Sequence, residues 1–146
     1  MPKKKKLKPL NKVLEETQVL VNRSIRERDG KCLRCGKTAH LQSHHHIIRQ
    51  GSSSLFRFDR RNLMTLCVGC HLYWYHKDGD LMKSLELKNI AIKNGICDEY
   101  DIEDILSRRH EMKKWTRYEL ELIQEALKTG GLKIKLEKCK KDVDKM

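Results

Sequence analysis

The chain has 146 residues, 38% hydrophobic and 36% charged, so it can build one domain with a modest core that needs a staple. A formal net charge of +12 points to a polyanionic partner, nucleic acid first. No stretch approaches the roughly 20 apolar residues of a membrane span. The Lys-rich start has no apolar run behind it, so a secretory signal is not expected. The six cysteines are accordingly read as reduced metal ligands in a cytoplasmic protein rather than as disulfides.

Residues 1–10 form a basic arm with Lys3, Lys4, Lys5, Lys6, Lys8 and two prolines, open to phosphate binding or to plain solubilisation. Residues 11–30 carry an N-terminal helix: Val13, Leu14, Thr17, Val21, Ser24 and Ile25 recur at helical spacing, and Gly30 ends the pattern. Residues 31–77 form the central module. In it Cys32 to Cys35 makes a knuckle turn. Leu41 to Ile48 reads as a strand with a hairpin partner before it, and Leu63 to Leu66 as a second strand. Gly69 to about Lys77 reads as a short helix. Residues 78–131 are a helical extension. Its first helix has a stripe of Leu81, Leu85, Lys88 and Ile92 ended by Gly95. The next starts at the pair Asp101 and Asp104 and runs to about Lys113. The last opens on the capping box Thr116-x-x-Glu119. Residues 132–146 are a basic tail.

Cys32, Cys35, Cys67 and Cys70 give C-x2-C-x31-C-x2-C. A two-residue spacer lets one tight turn present both sulfurs to one ion, and two such turns close a tetrahedral zinc shell with no open position. Such a structural Zn2+ would tie residue 32 to residue 67 and convert binding energy into folding energy. Cys97 and Cys139 stand alone and read as ordinary residues.

Within this cysteine frame lie His44, His45 and His46, then Asn62, with His71 just after the second knuckle. The run His-His-Ile-Ile, a loop, Asn-Leu-x-x-Leu-Cys-x-x-Cys-His resembles the HNH endonucleases of the ββα-metal class, over roughly Cys32 to His76. Arg57-Phe58-Asp59-x-Arg61-Asn62 and Lys114-Trp115-Thr116 also resemble phage NinG-type recombination proteins. The fold implied is α+β: a small zinc-stapled ββα-metal module with N-terminal and C-terminal helical extensions. The activity implied is metal-dependent hydrolysis of DNA phosphodiesters, leaving 5′-phosphate and 3′-hydroxyl ends, in phage recombination or DNA processing in the host cytoplasm.

By position in that signature His46 is the general base, a role a neutral imidazole suits near pH 7. His45 falls on a ligand position, with His71 as the second ligand to one catalytic divalent ion: Mg2+, Mn2+, Ni2+ or Zn2+. The resemblance makes Asn62 a loop-fixing and base-orienting residue. His44 is read as the spare. Many relatives carry a third ligand four residues beyond the helix histidine. Here that position is Tyr75, and His76, about 140° round a straight helix from His71, is kept as a further ligand. Arg49, Arg57, Arg60 and Arg61 flank the site as phosphate contacts. The rival is a non-catalytic zinc-dependent nucleic-acid-binding module whose histidines are incidental. A branched substrate would favour a homodimer.

Overall fold

The computed structural model describes residues 7–49, 54–75 and 81–129. His76, the arm up to Lys6 and the tail with Cys139 lie outside them. The architecture is α+β: four α-helices and a two-stranded antiparallel sheet among the described residues. The chain divides into two compact units, Asn22–Lys114 and the pair of segments Met1–Val21 and Trp115–Met146.

The larger unit is built around strand β2, Leu63–Cys67, all five of whose residues are buried. It pairs with β1, Leu41–His45, in a register that sets Leu41 opposite Cys67 and His45 opposite Leu63. Leu63 and Thr65 also find partners on the edge of β2 turned away from β1. Helix α1, Leu10–Asp29, ends there, and the Asp29 carboxylate accepts from Thr65 N at 2.9 Å. Arg28 donates to Leu63 O at 2.7 Å and to Arg60 O at 3.0 Å, and Leu33 N donates to Thr65 O at 3.1 Å. These bonds pair the outward backbone groups of Thr65 and the Leu63 carbonyl, which burial would otherwise leave unmade.

The sheet differs from expectation at two points. The first strand stops at His45 rather than Ile48, because Asn62 captures the next backbone groups: His46 N donates to Asn62 O, and Ile47 N and Ile48 N both donate to its side chain. No strand precedes β1 among the described residues; its partner is β2, later in the chain.

Helix α2, Leu81–Lys93, covers the sheet with Leu87 and Ala91, one turn apart and fully buried with Met64 and Leu66. Sequence periodicity favours Leu85 and Lys88 for this stripe, but Leu85 is exposed. Burying Leu87 instead contributes about 1.5–3 kcal/mol. The helix ends in a Schellman motif, with Gly95 at φ 74° and Ile96 N bonded to Ala91 O at 3.0 Å. Helix α3, Glu99–Ser107, begins earlier than the Asp101/Asp104 pair suggests and stops short of Lys113. Asp98 is its cap, closing a reciprocal box with Asp101. Ile105 of α3 meets Ile48 and Phe56 in a second small core.

In the smaller unit, Gln124 of helix α4, Arg117–Thr129, donates to Thr17 Oγ1 at 2.8 Å and to Val13 O at 3.2 Å. The Thr116–Glu119 box is formed in both directions, at 3.1 and 3.2 Å. No helix of the described residues is long and apolar enough to cross a membrane.

Candidate active site

The two knuckles bring Cys32, Cys35, Cys67 and Cys70 together, with all four sulfurs within 4.8 Å of one another. In the first, Cys35 N donates to Cys32 Sγ at 3.5 Å, and Gly36 at φ 83° turns the chain back so that Cys32 N donates to Lys37 O at 2.7 Å. In the second, Cys70 N donates to Cys67 Sγ at 3.4 Å. Cys35 Sγ and Cys67 Sγ are 3.5 Å apart, too far for a disulfide and near the edge of about 3.8 Å that four Zn–S bonds of 2.3 Å define.

Electrostatics agree with a cation. Burial raises the Cys32 thiol, but hydrogen bonds from its neighbours outweigh this and hold it down to about 7, whereas burial pushes Cys70 up to about 12. Four packed thiolates cannot all ionise without a positive charge among them. The cluster fits a zinc ion. Arg34, inside the first knuckle, donates to Cys70 Sγ at 3.5 Å and lies over the Trp74 ring at 3.6 Å. Its place between two cysteines is the only trace of that role in the sequence.

The histidines are sorted by the pleat of β1, whose successive side chains face opposite ways. His44 is buried with its ring centroid 4.7 Å from that of His71 and 4.6 Å from that of Tyr75, edge-on to both. His71 and Tyr75 stand on Gly69–Tyr75, a segment wound as a π-helix directly after the second knuckle. Gln42, two residues before His44, accepts from His71 Nδ1 at 2.7 Å. An amide oxygen only accepts, so the His71 proton sits on Nδ1.

His45 instead donates from Nε2 to Arg57 O at 2.9 Å. Its Nδ1 is thereby the bare nitrogen, and burial lowers its pKa from the ordinary 6.5. His46 is 3% exposed. Its Nε2 donates to Arg61 O at 2.8 Å, and its Nδ1 is buried with no hydrogen-bond partner among the described residues. Burial lowers its pKa to about 4. Asn62, 1% exposed, uses its whole side chain on the turn after β1. Oδ1 accepts from Ile47 N at 2.9 Å and Ile48 N at 2.8 Å, and Nδ2 donates to Ile48 O at 2.9 Å and Phe56 O at 3.2 Å.

The structure gives the three histidines different surroundings. His44, the expected spare, stands at His71; His45, the expected ligand, is anchored on the Arg57 carbonyl; His46, the expected base, is interior. The signature runs through three consecutive histidines and does not say where the strand ends, which is what decides the faces.

The arginines separate as well. Arg61 pairs with Asp59 at 2.8 Å, Asp101 at 3.2 Å and Asp104 at 3.3 Å, and these carboxylates raise its pKa further. This ties the loop before β2 to α3 and engages Arg61, one of the expected phosphate contacts, with three carboxylates of the protein itself. Arg49 is exposed, Arg57 lies over the Phe58 ring at 5.5 Å, and Arg60 gives its carbonyl to Arg28.

Fold and site together define a small α+β protein with a four-cysteine cluster suited to zinc. The family model described as Bacteriophage Lambda NinG protein matches residues 1–140, and the chain belongs to this family. It is similar to "Protein ninG" of Salmonella phage P22, 30% identical over 121 residues that cover 81% of this chain and 55% of that protein. It is also similar to "Protein ninG" of Escherichia phage 933W, 31% identical over 121 residues, 81% of this chain and 56% of that protein. The chain thus spans about half the length of the curated relatives it matches. No solved structure matches.

Proposed function

We propose that this chain is a metal-dependent DNA endonuclease of the HNH type, with His45 as general base and one divalent ion held by His44 and His71. One observation carries the reading: His44 and His71 face each other at 4.7 Å, and the next residue, His45, at the end of β1, is oriented by the Arg57 carbonyl. The donor set suits such an ion, since two imidazoles leave positions open to phosphate and water. When bound, the ion supplies Lewis-acid polarisation of the phosphoryl oxygen and neutralises the leaving oxygen.

The chain's own residues do the rest. His45 accepts the proton of the attacking water at Nδ1, with Nε2–H held on Arg57 O. Its lowered pKa keeps it neutral at pH 7. Asn62 fixes the turn that follows it. Arg49 and Arg57 contact the phosphates on either side, and the net charge of +12 supports DNA as the partner. Membership of a phage family supports a setting in phage recombination or DNA processing, in the host cytoplasm.

The test is incubation of the zinc-loaded chain with supercoiled plasmid and with a synthetic four-way junction, adding magnesium, manganese or nickel. Cleavage of either substrate, stopped by EDTA, is expected. Salt-sensitive binding without cleavage of either, under any of the three metals, would replace this reading with the non-catalytic binding module.

A further inference from the structure

We infer that Gln42 is a positioning residue for His71, fixing its tautomer and ring plane so that Nε2 is the nitrogen presented to a divalent ion. The inference rests on the proposed function for the ion and on the geometry for the orienting bond.

Gln42 and His44 lie two residues apart on β1 and so share one face. The same His71 ring meets both, through Nδ1···Oε1 at 2.7 Å with Gln42 and ring to ring at 4.7 Å with His44. The arrangement is not accidental to the backbone. Gln42 sits opposite Leu66, one step from the Leu41–Cys67 pair, and Cys67 opens the knuckle that ends one residue before His71. The cysteine cluster thus pins the strand register and the start of the His71 segment together.

A neutral imidazole has one N–H. An acceptor at Nδ1 places it there, leaving the Nε2 lone pair for a metal. Outer partners of this kind raise ligand basicity, and their loss lowers metal affinity by roughly 10- to 100-fold.

The experiment compares the zinc-loaded full chain with Gln42→Met, which keeps the length but loses the carbonyl acceptor, and with Gln42→Glu, which keeps an acceptor. Nitrogen-15 imidazole spectra report the His71 tautomer without added metal, and manganese titration reports affinity; manganese is chosen because it competes poorly for thiolates. Expected are an Nδ1–H tautomer in the wild type and its loss in Q42M, with manganese affinity about 10- to 100-fold weaker there and retained in Q42E. A wild-type proton on Nε2, an unchanged tautomer and affinity in Q42M, or equal losses in Q42M and Q42E would each overturn the inference. A wild type with the expected tautomer, lost in Q42M, that takes up no manganese would overturn the nuclease reading and leave the orienting bond standing.

Discussion

Replacing Asn62 with alanine removes the side chain that closes the turn between the histidine strand and β2. Four backbone groups lose their partner: Ile47 N, Ile48 N, Ile48 O and Phe56 O. Each such bond contributes about 1 kcal/mol net, and a buried group left unmade costs about 1–3 kcal/mol. With Asn62 only 1% exposed, water reaches few of them, so the loss is set at about 3–5 kcal/mol. Against a total of roughly 5–15 kcal/mol this is a large fraction. Urea unfolding of the zinc-loaded chain, followed by far-UV circular dichroism, measures it. Asn62→Asp provides the control: it keeps both acceptor positions for Ile47 and Ile48 but turns a carboxylate oxygen toward two carbonyls. It should fall between wild type and alanine. A loss under 1 kcal/mol for Asn62→Ala would mean that the amide closes nothing the loop requires.

Three further outcomes are expected. The wild type should retain about one zinc per chain through gel filtration, and Cys67→Ser should release it and unfold the Asn22–Lys114 unit; persistence of native circular dichroism without zinc would contradict the staple. Arg61→Ala should lower the unfolding free energy measured in urea by about 1–2 kcal/mol, leaving Asp59, Asp101 and Asp104 facing one another, while the salt dependence of DNA binding stays that of the wild type; a shallower salt slope would show Arg61 among the phosphate contacts. His46 has a folded pKa of about 4 against 6.5 unfolded, so its contribution is fully present above pH 6.5 and lost as pH falls toward 4, about 3 kcal/mol in all. Unfolding midpoints measured from pH 7 to pH 4 should fall in the wild type and fall less in His46→Phe; parallel curves would remove His46 as the cause.

The cysteine spacing was the most legible feature, because a C-x2-C turn has little freedom in where it aims two sulfurs. The Thr116–Glu119 box was likewise local, closing over three residues. What the sequence hid was non-local. Leu85 and Leu87 are both leucines within one turn of α2, and only the position of β2 selects Leu87. The end of β1 depends on an amide 16 residues beyond His46, so three equivalent histidines could not be assigned to faces by alternation alone. Gln42 left no motif. Only the register that pairs it with Leu66 brings it to His71.

The most direct measurement is cleavage of plasmid and junction DNA by His44→Ala, His45→Ala and His46→Ala beside the wild type, with zinc content and DNA binding measured on every sample. His45→Ala should lower the rate by about 10²- to 10⁴-fold with binding and zinc intact. His44→Ala should lose the manganese response, and His46→Ala should act through stability. Full activity in His45→Ala with loss only in a well-folded His46→Ala would contradict the geometry and return the base to His46.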